Sequence, residues 1–274
     1  MSGLGRWFGK RSAASPALLE TTIDDLTWQR VVGALPFLAE HDGLRAMTAQ
    51  FLARKGVHPA LSWPEDLAPP GDFVRVAIAA QACLPVLAFG LDFYDDFAEV
   101  VIYPGEFDVV RHETDEDGVV HDLSGPLAGE ALQGGPVLIG WNVDDVPGMN
   151  VVVHEFAHKL DMAAGNVDGM PRFHPRLHDR ALRQAWRREL EAAFDRFVYL
   201  VDRLEQDFPR NLDPESDEGM ALYGTLPLDL YASTDEAEFF AVSSEAWFVD
   251  RARLDAEFPE WSALLARYYR PTGA

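Results

Sequence analysis

One stretch, Val151-Val152-Val153-His154-Glu155-Phe156-Ala157-His158-Lys159-Leu160-Asp161, constrains this chain more than any other feature. Val151, Val152, Val153, Phe156 and Leu160 would cover much of a helix surface, so the stretch predicts a buried α-helix. Residues four apart on a helix lie one above the other on the same face. His154 and His158 can then each point an imidazole nitrogen at one ion, roughly 2.0–2.1 Å away, without bending the backbone. The competing reading is a pair of core histidines with no ion between them. It leaves two imidazoles and the Glu155 carboxylate buried without partners, which is costly. A metal ion supplies the partner.

The pattern H-E-x-x-H on such a helix points to metal-assisted hydrolysis. Glu155 projects beside the metal, where it can take a proton from an attacking water and return it to a leaving amine. Zinc in a hydrolase takes three protein ligands and keeps one position open. The best downstream candidate for the third is Glu238. Ser233 followed by Glu236 reads as a capping box, which starts a helix there and puts Glu238 in its second turn beside Phe239, Phe240, Val242, Ala246 and Trp247. The alternative for Glu238 is one more acidic residue at a helix start. Tyr231, just ahead of the cap, offers a hydroxyl to stabilise negative charge on a carbonyl oxygen; otherwise it is a packing tyrosine. Asp161 either accepts an N–H from a ligand imidazole or fixes the helix end.

At these residues the chain resembles the Mlc titration factor A family of bacterial zinc peptidases. Four ordered segments carry the resemblance: residues 78–87 (IAAQACLPVL), 101–107 (VIYPGEF), the HEFAHKLD stretch, and Asp229 with Tyr231 leading to Glu238-Phe239-Phe240-Ala241-Val242. They extend it over roughly residues 25–270. The resemblance implies a gluzincin-like catalytic region similar to that of anthrax lethal factor. It implies His154, His158 and Glu238 as zinc ligands, Glu155 as general base and Tyr231 as the transition-state tyrosine. It also implies His121 as an additional metal contact, which would fill the open position and keep the enzyme latent; a solvated loop histidine is the alternative. The implied activity is peptide hydrolysis, aminopeptidase-like. The implied partner, beyond a peptide substrate, is a transcription repressor of sugar-uptake genes. A rival of another class is a regulatory protein that binds such a repressor and carries a latent or vestigial zinc site, and a third is an amidase for non-peptide substrates.

Composition narrows the remainder. A formal charge of −22 over 274 residues argues against direct nucleic-acid binding, which depends on Lys and Arg, and against an anionic membrane surface. Cys83 is the only cysteine, so neither a disulfide within the chain nor a cysteine metal site is expected. The basic N-terminus lacks an apolar segment typical of a secretory signal, and no apolar run reaches membrane-spanning length, so a cytoplasmic protein is expected. The expected fold is α+β: a mostly helical, zincin-like metallopeptidase with a small β-sheet beside the zinc helix. A loose segment over 1–20, a helical N-terminal lobe over 21–95 and the catalytic domain over 96–270 are expected.

Helices are predicted over 28–38, 43–55, 73–89, 176–205, 236–250 and 257–269, and strands within 99–110 and 136–143. Residues 112–135 read as an acidic, Gly-rich loop crossing the site, and residues 208–224 as a polar, acidic connector. If the 136–143 strand lies at the cleft edge, an extended peptide could pair with it.

Overall fold

Alternating burial in Glu99-Val100-Val101-Ile102-Tyr103, with Val100 and Ile102 fully buried, gives the strand around which the sheet is built. The computed structural model describes residues 22–114, 120–141, 150–209, 212–214 and 216–271, with side chains described outside 108–126. The expected loose segment over 1–20 therefore lies outside the described residues.

Helices α1 (Asp25–Ala34) and α2 (Leu44–Arg54) lead into β1 (Gly56–Pro59), followed by α3 (Asp72–Cys83). Then come β2 (Glu99–Tyr103), β3 (Phe107–Thr114), β4 (Val120–Leu127), β5 (Gly129–Ala131) and β6 (Val137–Gly140). The chain continues through α4 (Val151–Met162), α5 (Arg180–Gln206), α6 (Asp217–Tyr223), α7 (Glu236–Val249), α8 (Ala252–Glu257) and α9 (Pro259–Tyr269). The fold is α+β, mostly helical with a small mixed sheet, as expected. Among the described residues, no helix is long and apolar enough to cross a membrane.

The sheet order is β1-β2-β6-β5. β1, β2 and β6 run parallel, and β5 is antiparallel to β6. This corrects two expectations. The 136–143 strand is not an edge: β6 has β2 on one side and β5 on the other, so both of its ladders are occupied. The 112–135 segment is not a loop, because it holds the end of β3, all of β4 and all of β5. β3 and β4 form a separate antiparallel pair, with Glu113 opposite His121. Charge and glycine hid these strands, since backbone pairing needs no apolar side chain on a solvated face. The 99–110 run is two strands, split at Pro104-Gly105, where Gly105 takes φ +111°. The helix expected over 73–89 ends at Cys83, because Pro85 permits only a 3-10 turn over Leu84–Val86. Part of the 208–224 connector is helical, as α6.

Two aromatic groups anchor the core. Phe156 of α4 meets Phe51, Tyr94 and Phe97 at ring separations of 5.9, 5.1 and 5.8 Å. Trp186 of α5 meets Phe240, Trp261 and Tyr268 at 5.9, 4.8 and 5.1 Å. Each fully buried ring of this kind contributes about 1.5–3 kcal/mol relative to exposure. α5 presents one apolar stripe to the core: Leu182, Trp186, Leu190 and Phe197 are buried and Phe194 packs against them. Buried Phe156 lies between His154 and His158 in sequence, so the helix that carries both histidines is fixed by the core itself.

His178 ties α9 to the segment before α5. Its Nδ1 accepts the His174 N–H at 2.9 Å, and its Nε2 donates to the Tyr268 carbonyl at 2.9 Å. Both nitrogens are thus committed to a neutral ring. Burial lowers its pKa below the ordinary value against the opposing carbonyl bond, with His174 and Arg183 adding to the lowering and Asp179 opposing it. A depressed folded pKa means the unfolded chain takes the proton first. This contribution to stability is present above the unfolded value of about 6.5 and is lost as pH falls below it toward the folded value. Thermal midpoints recorded from pH 7.5 to 5 should fall less steeply in His178→Gln, whose amide can both accept and donate without titrating. An unchanged pH slope would remove His178 from this role.

Candidate metal centre

Helix α4 begins where Asn150 caps it, the Asn150 Oδ1 accepting the Val153 N–H at 2.9 Å. Helix α7 begins at Asp235, whose side chain accepts the Glu238 N–H at 2.9 Å. Ser233 is not the cap, contrary to the sequence reading. It ends a 3-10 turn over Leu230–Ser233, and its hydroxyl donates to the Leu230 carbonyl at 2.8 Å. Glu238 consequently lies in the first turn of α7, not the second, where the positive end of the helix favours a carboxylate.

Packing of α4 against α7 brings three potential donor atoms together. His154 Nε2 and His158 Nε2 are 3.1 Å apart. The Glu238 Oε2 lies 3.1 Å from the first and 3.2 Å from the second. Ligand atoms held at 2.0–2.1 Å in tetrahedral directions around zinc stand about 3.3 Å from one another, so this near-equilateral triangle has the size of a zinc face. Two imidazole nitrogens and one carboxylate oxygen are also the donor types zinc takes. Among the described residues this is the one group of three His, Cys, Asp or Glu side chains placed to hold a metal ion. The group is thus suited to a metal ion.

Mutual contact dominates the charges. Burial opposes a charge on His154, but hydrogen bonds to Glu238 and Glu245 outweigh it and hold its pKa well above the ordinary value. Burial would likewise raise Glu238, and the two imidazoles overcome this and hold it far below the usual carboxylate range.

Glu155 is 5% exposed. Burial raises its pKa, while the neighbouring imidazoles and the Ala131 N–H oppose the shift. Strand β5 passes directly over it. A Cβ on Gly129 would come within 2.6 Å of the Glu155 Oε1 and 2.5 Å of a Val151 methyl, so only glycine lets the strand approach so closely. Lys159, fully buried, secures the same hairpin: its ammonium donates to the Leu132 carbonyl at 3.1 Å and pairs with Asp96 at 2.7 Å.

Tyr231 stands half-exposed beside the triangle. Its hydroxyl donates to the Glu238 Oε1 at 3.4 Å, and its ring centre lies 6.0 Å from that of His154. Asp229 orients the turn by accepting the Tyr231 N–H at 2.9 Å. Asp161 fixes the connector after the helix: its Oδ2 accepts the Gly169 N–H at 2.7 Å, and burial pushes its pKa up to about 7. Of the two readings offered by the sequence, the contact found is the helix-end one. His121 lies on β4, and its side chain is outside the described residues.

The model of the glucose-regulated metallo-peptidase M90 family matches residues 7–270. The chain belongs to this family. It is also similar to proteins called Mlc titration factor A. The one from Pectobacterium atrosepticum is 32% identical over 253 residues, covering 89% of this chain and 85% of the relative. The one from Klebsiella pneumoniae is 33% identical over 258 residues, covering 90% and 86%. A third, from Enterobacter, is 30% identical over 275 residues, covering 97% and 91%. The family is thus that of a metallopeptidase, in keeping with a His-His-Glu group suited to a metal ion.

Sequence reading did not single out Glu245, Asn150, Gln81 or Gly129. For Glu245 a signal existed: it follows Glu238 by two helical turns and so shares its face.

Proposed function

We propose that this chain is a zinc-dependent metallopeptidase, aminopeptidase-like, with a zincin-like catalytic domain. The observation that carries the proposal is the triangle of His154, His158 and Glu238 ligand atoms beside the buried Glu155. A zinc ion held there supplies Lewis acidity, polarising a carbonyl and making water nucleophilic at neutral pH.

The chain's own groups do the remaining work. Glu155 accepts a proton from the attacking water and delivers it to the nitrogen of the leaving amine. Its position is fixed from two sides, by the core through Phe156 and by β5, whose Gly129 lies directly against it. The Tyr231 hydroxyl donates to the carbonyl oxygen as negative charge develops there. Edge strand β5 would receive the substrate backbone. Ala128 and Leu132 bond toward β6, through Gly140 at 2.7 Å and Pro136 at 3.2 Å, so Gly129 and Ala131 between them turn their backbone groups the other way. An extended peptide can lie along that side.

Turnover of aminoacyl and internally quenched peptides by zinc-loaded and metal-stripped protein tests the proposal. Hydrolysis restored by zinc supports it, and preference for free N-termini identifies an aminopeptidase. No hydrolysis in either state overturns it. Tyr231→Phe should lower kcat at least tenfold, as loss of one preorganised donor does, with metal content unchanged. Wild-type kcat would remove Tyr231 from the mechanism.

A second reading is favoured by the relatives' shared name, which describes them as titrating Mlc. We propose a repressor of that kind as a protein partner. Capture of the repressor by wild-type and Glu155→Gln protein alike would support a binding role independent of hydrolysis, and failure of both to capture it would remove the partner.

A further inference from the structure

We propose that Glu245 is a positioning residue of the metal centre, fixing the orientation and tautomer of His154 through a buried polar chain that runs from α7 across the start of α4 to α3. The inference rests on the metal-centre reading above and adds to it a residue outside the ligand set.

The chain of contacts is continuous. The Glu245 Oε1 lies 2.6 Å from His154 Nδ1, and the Glu245 Oε2 accepts the Asn150 backbone N–H at 2.6 Å. The Asn150 Nδ2 donates to the Gln81 Oε1 at 2.6 Å, and the Gln81 Nε2 donates to the Ala77 carbonyl at 3.1 Å. Glu245, Asn150 and Gln81 are all buried, at 6%, 9% and 3% exposure.

Backbone groups fix the direction of each bond from Ala77 to the Glu245 Oε2. The Val153 N–H can only donate, so the Asn150 atom facing it is Oδ1, and Nδ2 must face Gln81. That makes the facing Gln81 atom Oε1 and leaves Nε2 for the Ala77 carbonyl, which can only accept. The Asn150 N–H likewise can only donate, which requires an accepting oxygen on Glu245. As a carboxylate accepting on both oxygens, Glu245 takes the Nδ1–H of His154. With a metal ion bound, Nε2 of His154 is then the nitrogen left to hold it, and it is the atom in the triangle. His158 differs, because its buried Nδ1 has no hydrogen-bond partner among the described residues. The outer bond that sets ligand direction is thus concentrated on His154.

Glu245→Gln keeps the shape but cannot satisfy both donors, since one amide end presents N–H to either Asn150 or His154. Zinc affinity, measured by competition with a chromophoric chelator, should fall about 10–100-fold, the range for loss of such a partner. The Co2+-substituted variant should show a shifted visible spectrum, which a defect confined to distant packing would not produce. In zinc-loaded wild-type protein, nitrogen-15 NMR should find a slowly exchanging proton on His154 Nδ1. That measurement needs no variant and so decides the matter even if Glu245→Gln fails to fold. Wild-type zinc affinity and cobalt spectrum in Glu245→Gln, or a proton on His154 Nε2, would overturn the assignment. Wild-type protein that takes up no zinc would overturn the metal centre itself, a separate failure that the first titration identifies.

Discussion

Glu155→Gln should retain zinc and lose peptide hydrolysis by about 10²–10⁴-fold, the contribution of a positioned general base. The amide is nearly isosteric with the carboxylate, so it fits beneath β5 where Gly129 leaves room for no larger group. It cannot take a proton from water. Because Glu155 contributes no atom to the ligand triangle, metal content should stay at the wild-type value. Steady-state kinetics alongside metal analysis of the same sample checks both halves. Activity within tenfold of wild type would remove Glu155 as the base, and loss of zinc would make it part of the metal site.

The second large effect is on metal and stability together. His158→Ala removes one corner of a triangle whose sides are 3.1–3.2 Å and leaves two ligand atoms. Zinc should dissociate to background. The stabilisation that a ligand gives the folded state, about 2.7 kcal/mol at a hundred times Kd, should vanish with it. Added zinc therefore should raise the thermal midpoint of the wild type and leave that of His158→Ala unmoved. An equal shift in both proteins would place the ion elsewhere.

His154, Glu155 and His158 were legible because their relation is local: four residues on a helix fix a face, and the apolar residues around them fix its burial. Glu238 was reachable only through the chemistry of a third ligand and the family resemblance, since nothing local joins α4 to α7. Its exact turn was misread because Ser233 matched a capping pattern, whereas the helix takes Asp235 and leaves Ser233 to a preceding 3-10 turn. β1 was missed because four residues ending in Pro59 carry little pattern, and their pairing with β2 is a tertiary event. β4 and β5 were hidden by an acidic, glycine-rich sequence for the same reason. The edge strand was accordingly assigned one strand too far along the chain, to β6 instead of β5. Glu245 and Gln81 show the remaining limit: a buried polar residue becomes meaningful only when its partners, on other helices, are in view.

The most direct test is diffraction from zinc-soaked crystals on both sides of the zinc absorption edge. One anomalous peak per chain is expected, in contact with His154 Nε2, His158 Nε2 and the Glu238 carboxylate. No peak there, or a peak bound by other residues in its place, would contradict it.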